Sequence, residues 1–270
     1  MRKLKALRYI VTFMEIMFFP VLIMHYLQHI PVHREARFTP DYPMVELTQE
    51  TDTETFLMQT GLGEAAVERL IQEGKWDLIL EAQQSFFASP ETTCRDLLGW
   101  FTKEERVREV PAGALVDLQP GDILLTLSTH SLGWRHGHAG LVIDENTVLE
   151  CGVWGQDSAL CRAQHWKTYA TYAHLRVKGV TNETQEEVAA YALENLNGVP
   201  YHLSAGFLGP KAPEVTEHYF GLQCAYLVWY AWQKFGVDLD SDGGRLVVAD
   251  DVLSSPHLEI VQVYGMEPWK

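Results

Sequence analysis

Gly137-His138-Ala139-Gly140-Leu141-Val142-Ile143, then Asp144-Glu145-Asn146, then Thr147-Val148-Leu149-Glu150-Cys151, is the stretch on which the fold turns. Two short runs of β-branched and apolar residues flank a polar turn, the pattern of an antiparallel hairpin. With a three-residue turn at 144–146, Ile143 pairs with Thr147 and His138 with Gly152. Glu150 is then the diagonal neighbour of His138 on the same face, about 7 Å away at the backbone and within reach of a glutamate side chain. A two-residue turn would carry Glu150 to the opposite face.

Outward from this hairpin the texture stays consistent. Leu118-Gln119-Pro120-Gly121-Asp122 is a turn that launches a strand at Ile123–Leu127, and Tyr172–Val177 reads as another. Asn182, with Gln185 three residues on, opens a helix through Asn195. After Gly198-Val199-Pro200-Tyr201, a second helix runs from about Gln223 to Phe235 and stops at Gly236. Leu246–Val248 and Ile260–Tyr264 look like further strands. Strands and helices are segregated rather than alternating, so the fold class is α+β, an antiparallel sheet packed on helices.

Residues 38–110 read as a helical accessory region. Gly61–Gly63 precede an amphipathic helix over Glu64–Glu73, Trp76–Phe87 repeats the pattern, and Ser89-Pro90-Glu91 opens a third helix through Trp100–Phe101 with Cys94 buried inside it. Residues 1–37 carry six basic side chains against Glu15 and Glu35, and lead into Tyr9–Leu27, an apolar run whose one charge is Glu15. A positively flanked apolar run of this kind reads as an uncleaved signal anchor that puts the rest of the chain outside the cytoplasm, the alternative being a core helix kinked at Pro20.

The whole chain has 36 acidic and 21 basic residues, a net charge of −15, which repels a phosphate backbone and excludes nucleic acid as a partner. The four cysteines contain no Cys-x-x-Cys and suit neither a disulfide scaffold nor a structural zinc site. One of them has chemical promise. Cys224 falls in the first turn of an apolar helix, where free N–H groups and the macrodipole favour a thiolate. A thiolate nucleophile needs a proton shuttle, for which His138 is the candidate, and an acceptor to orient that ring, for which Glu150 is the candidate. The competing reading is a packed thiol at a helix end. Three other sets are weighed: His130, His136 and His138 with Cys151 as zinc ligands, without a fixed spacing to the fourth; Asp238-Leu239-Asp240-Ser241-Asp242-Gly243 as half of a calcium loop, with Ala249 where the closing glutamate belongs; and a Cys151–Cys161 disulfide. No metal or other cofactor is adopted from them.

Taken in chain order, Gln119-Pro120-Gly121-Asp122-Ile123-Leu124, Gly137-His138-Ala139-Gly140-Leu141-Val142-Ile143, Val148-Leu149-Glu150 and Gln223-Cys224-Ala225-Tyr226-Leu227-Val228-Trp229 resemble the circularly permuted branch of the NlpC-type papain-like superfamily, which includes YiiX-like bacterial proteins and lecithin:retinol acyltransferase relatives. The histidine strand precedes the cysteine helix, the permuted order. The likeness extends over about residues 111–265, so that 111–270 would be a permuted papain-like catalytic domain, and the sequence departs from the pattern at Gln223, where Asp or Tyr is frequent, and at Ala225, where Ser is common. The resemblance implies Cys224 as nucleophile, His138 as base and Glu150 as orienting group; Tyr201, beside the Pro200 turn, is a candidate second oxyanion donor, with plain packing as the alternative. It implies a cysteine amidase or peptidase, with peptidoglycan stem peptides as the leading substrate class. A lipid acyl-ester hydrolase or acyltransferase, or an inactive binding module, are the other readings.

Overall fold

A computed structural model describes residues 37–98, 102–110, 115–131, 134–207, 209–217 and 220–268. The expected anchor at residues 9–27 lies outside these. Three helices come first, α1 (Thr53–Thr60), α2 (Glu64–Gln72) and α3 (Trp76–Phe87), followed by strands β1 (Thr92–Leu98), β2 (Thr102–Val107), β3 (Ile123–Thr126), β4 (Thr129–Ser131), β5 (His138–Asp144), β6 (Thr147–Glu150) and β7 (Ala159–Arg162). A 3₁₀ turn over Ala163–Thr168 leads to β8 (Tyr172–Val177), α4 (Asn182–Asn195), α5 (Cys224–Gln233), α6 (Ala249–Leu253) and β9 (Leu258–Tyr264).

The class is α+β. Six strands form an antiparallel sheet in the order β7-β6-β5-β3-β8-β9, and β1-β2-β4 form a second, three-stranded one. The large sheet is covered on both sides, which explains why β3 is buried along its whole length. Ile123, Leu125, Ala139, Leu141 and Leu175 face α4 and α5, whereas Leu124, Val142 and Val148 face Trp166, Tyr169, Tyr172 and Tyr264. Helix α5 is buried from Ala225 to Trp232 all the way round, as expected of a helix without a polar face. Its aromatic polar tips find acceptors: Tyr226 Oη donates to Lys211 O at 2.6 Å, Trp229 Nε1 to Asp238 Oδ1 at 2.7 Å and Trp232 Nε1 to Gly121 O at 3.1 Å. The Gln119–Asp122 turn is locked from inside, because the fully buried Asp122 carboxylate accepts from His174 Nε2 and from Arg176, each at 2.7 Å. Burial alone would raise the Asp122 pKa, but His174 and Arg176 outweigh it and hold the group below the usual range.

The hairpin differs from expectation in an instructive way. Its turn has two residues, Glu145 and Asn146, so Asp144 pairs with Thr147. A bulge between Val142 and Asp144 then shifts the register back by one, giving Val142↔Val148, Leu141↔Leu149 and Gly140↔Glu150. The bulge restores Glu150 to the face of His138 that a two-residue turn alone would have denied it.

Other elements depart outright. The third helix is absent: Thr92–Leu98 is a strand paired with β2, Thr92 opposite Val107 and Cys94 opposite Glu105. The Ser-Pro-Glu signal at 89–91 is overridden by cross-strand pairing of β-branched Thr92, Thr93 and Thr102 and by the extension of β2 onto β4. Cys94 is accordingly exposed, not buried. Leu246–Val248 is no strand; Val247 is buried and runs directly into α6. Helix α1, capped by Asp52 Oδ1 accepting from Thr55 N at 2.8 Å, and the short β4 and β7 lack the periodic signal that would reveal them.

The N-terminal helices join the rest along β9. Gly63 N donates to Val261 O at 3.0 Å and Val263 N to Gly61 O at 2.7 Å, with Leu62, Ala66, Val67 and Leu70 closing around Val261. The approach needs glycine, since a Cβ at Gly63 would sit 1.7 Å from Ile260 O and one at Gly61 2.2 Å from Val263 O. Gly63→Ala is therefore expected to lower the unfolding free energy by about 2 kcal/mol or more in a denaturant titration, the helices having to withdraw from β9.

Candidate active site

The strand register and the start of α5 bring three side chains together. His138, the first residue of β5, is buried, and its Nε2 lies 2.9 Å from Glu150 Oε2 at the end of β6. That bond leaves Nδ1 as the ring nitrogen for Cys224, whose thiol lies near enough to the imidazole for each group to shift the pKa of the other. Extending the observed register places His138 opposite Gly152, and a Cβ on Gly152 would come within 3.3 Å of His138 Cε1. Gly140 clears space in the same way: a Cβ there would meet Glu150 Cγ at 3.0 Å and Val148 Cγ1 at 2.6 Å. The two glycines of this hairpin are where the side chains of the site need room.

Electrostatics point the same way. Burial alone would depress the His138 pKa, but hydrogen bonds to Cys224 and Glu150 and their charges prevail and raise it to about 10. Burial likewise opposes ionisation of Cys224, yet His138 and the backbone N–H groups of Ala139 and Ala225 bring its pKa below the ordinary thiol value. Desolvation of the largely buried Glu150 would raise its pKa, but the His138 hydrogen bond and charge hold it low, with His165 and Trp166 adding to the effect. The arrangement favours a thiolate beside an imidazolium.

Several supporting residues have no signature in the sequence. Trp166 Nε1 donates to Glu150 Oε1 at 2.8 Å, and the Trp166 ring stacks on His138 with centroids 5.4 Å apart and planes inclined by 7°. His165 Nε2 approaches the same carboxylate oxygen at 3.3 Å. Both come from the 3₁₀ turn after β7, whose pairing with β6 delivers them; no spacing in the chain foretells that. Gln223 caps α5, its Oε1 accepting from Ala225 N at 3.1 Å while its Nε2 donates to Val247 O. The Cys224 thiol lies 3.4 Å from the same Gln223 oxygen. Gln223 thus fastens the start of the helix to the segment before α6, which gives the departure from the resembling pattern a structural role.

Tyr201 reaches the site through a short parallel bridge to Leu222, with Leu222 N donating to Pro200 O at 3.0 Å. Burial, with Cys224 and Cys151 nearby, raises the Tyr201 pKa and keeps its hydroxyl a donor. The remaining sets separate. All four cysteines are free, so the Cys151–Cys161 disulfide is not formed; Cys151 instead donates to Leu222 O at 3.4 Å. Nor are His130, His136, His138 and Cys151 gathered around one point: His136 uses Nδ1 on Gly137 O at 2.9 Å and Nε2 on Ser131 Oγ at 3.0 Å. In the acidic loop, oxygens of Asp240, Asp242 and Asp251 converge, but Lys211 pairs with Asp240 and Asp251 Oδ2 accepts from Val248 N at 2.8 Å. Ala249, at the closing position of the calcium pattern, is buried at the start of α6.

Trp166→Phe keeps an aromatic face against His138 but removes the donor to Glu150. It should cost about 1–2 kcal/mol of stability, read as a lower denaturation midpoint at unchanged slope, and Trp166→Leu should cost more because the stacked ring is lost as well.

No protein-family model matches the chain, and no curated protein does. Among solved structures the chain is similar to the metalloprotein YiiX from Escherichia coli O157:H7, at 18% identity and a TM-score of 0.41, over 56% of this chain and 98% of that one.

Proposed function

We propose that the protein is a cysteine hydrolase that cleaves an amide bond through a thioacyl intermediate. The observation that carries this reading is the hydrogen bond between Glu150 and the buried His138, with the Cys224 thiol at the start of α5 close to the same ring. The Cys224 thiolate attacks the carbonyl carbon, and the oxyanion is met by the Cys224 backbone N–H, with Tyr201 as a second donor. His138, charged by Glu150 and Cys224, gives its proton to the leaving amine; neutral, it then takes a proton from the water that releases the acid. Glu150 keeps the ring turned toward the sulfur throughout, and Trp166 holds Glu150.

The substrate class we favour is the stem peptide of bacterial peptidoglycan, on the strength of the family resemblance. With it go an extracytoplasmic location and attachment to a membrane through residues 9–27, supported by the basic flank and apolar run there. Among the described residues no helix is long and apolar enough to cross a membrane. A lipid acyl ester is the second reading, favoured by Trp154 and Leu203, which are 62% and 45% exposed on the two segments that adjoin His138 and Tyr201.

Cys224→Ala is expected to abolish turnover of a muropeptide amide while leaving the unfolding midpoint nearly unchanged. His138→Ala should lower kcat by ~10²–10⁴-fold, and Glu150→Gln by less, because the carboxylate orients a proton carrier it does not replace. If the ester is cleaved and the amide is not, the second reading takes its place; full activity in Cys224→Ala would remove Cys224 as the nucleophile, and a wild-type chain that turns over neither substrate would leave the fold as a binding module.

The pH profile has a determined sign. His138 is raised to about 10, so its imidazolium, and the stability it contributes, are present at neutral pH and lost as pH climbs through that value. Cys224 is lowered, so its thiolate is lost as pH falls through its folded pKa. The alkaline limb of kcat/KM should move to lower pH in Glu150→Gln, since the carboxylate that sustains the charged ring is gone. An unmoved limb would detach Glu150 from the reaction.

A further inference from the structure

The small sheet holds a second group of ligand-bearing side chains, apart from Cys224, His138 and Glu150. Cys94 on β1 lies opposite Glu105 on β2, and His130 on β4 lies opposite Lys103, two residues before Glu105. Residues paired across strands, or two apart along one, share a face, so Cys94, Glu105 and His130 point to the same side. One ligand atom from each, the sulfur, a carboxylate oxygen and an imidazole nitrogen, lies within 4.8 Å of the other two.

A second observation makes this more than proximity. His130 Nε2 is buried and makes no hydrogen bond, although it stands 3.5 Å from Glu105 Oε1. A buried ring nitrogen facing a carboxylate and a thiol at that range is short of a cation between them. Glu105 is steadied by Arg135, whose NH2 and NH1 donate to Oε1 and Oε2 at 2.7 and 3.0 Å. Each carboxylate oxygen retains a further lone pair, and a guanidinium on a ligating carboxylate is the kind of outer partner that orients it. Lys103, the other cation on this face, is turned to Asp96 at 3.7 Å.

We propose that Cys94, Glu105 and His130 bind a divalent transition-metal ion of the zinc class. Thiolate, imidazole and carboxylate together suit such an ion and are foreign to calcium or magnesium, which take oxygen ligands. Bond lengths of about 2.3 Å to sulfur and about 2.0–2.2 Å to nitrogen and oxygen require the three atoms to draw in by roughly an ångström. The exposed Cys94, on an edge strand, can supply that movement. On binding, Cys94 releases its proton to water, and the two anionic ligands balance the ion's charge. A fourth position is left for water, and the metal ties β1 to β2 and β4.

The test is titration of the full chain, carrying Cys224→Ala to remove the competing thiolate, with cobalt(II) as spectroscopic probe and zinc as competitor. One equivalent of cobalt should give a sulfur-to-cobalt charge-transfer band that zinc displaces. Cys94→Ala and the gentler Cys94→Ser should each remove the band, and His130→Ala should weaken binding at least tenfold; all three lie on the surface sheet, and an unchanged circular dichroism spectrum checks their folding. Absence of saturable binding, or a band that survives both Cys94 substitutions, would overturn the proposal.

Discussion

The hydrogen bond from His138 to Glu150 depends on a one-residue bulge. A two-residue turn puts every side chain of β6 on the opposite face of the sheet, and the bulge between Val142 and Asp144 reverses that within two residues. Below the bulge the ladder is regular, Gly140 lies opposite Glu150, and the absent side chain of Gly140 gives the glutamate its path toward His138. The carboxylate then has Trp166 and His165 on one oxygen and His138 on the other, so both oxygens of a partly buried charge are engaged. Had the bulge been missing, Glu150 would face α4 and α5, where apolar side chains offer it nothing.

The second constraint is α5. It is apolar on every side, so it can only be the central helix, and its first turn must end against the sheet. Cys224 occupies that turn, and β5 supplies the opposing residue. The cap is drawn from Gln223, whose amide reaches Val247 as well, so the start of the helix, the segment leading to α6 and the thiol are held by one side chain. Position rather than propensity creates the reactive environment: the same cysteine one turn later would be an inert core thiol, as Cys151 is, its pKa pushed up to about 12 by burial and its neighbours.

Much of this was legible in the chain itself. The strands β3, β5, β6 and β8 and the helices α4 and α5 announce themselves through short apolar runs, turn residues and caps, and together they position Cys224 and His138. The face of Glu150 was reached by assuming a three-residue turn, and the structure attains it by a different route, because a bulge leaves no mark in an apolar run. The helix expected through Trp100–Phe101 fails for the opposite reason: Ser89-Pro90-Glu91 is a strong local start signal, but the pairing of Thr92–Leu98 with β2 outweighs it. Trp166 and His165 were invisible, since a side chain delivered by a non-periodic turn gains meaning only from what the sheet places beside it.

The central claim is that Cys224 is ionised because His138, held by Glu150, is charged beside it. The most direct measurement is the ultraviolet thiolate absorbance of the full chain as pH is varied. A thiolate already present at neutral pH, absent in Cys224→Ala and pushed to alkaline pH in His138→Ala, is the result this account predicts. A wild-type chain in which thiolate forms only in the range of an ordinary cysteine, or a neutral-pH signal that survives loss of Cys224, would contradict it.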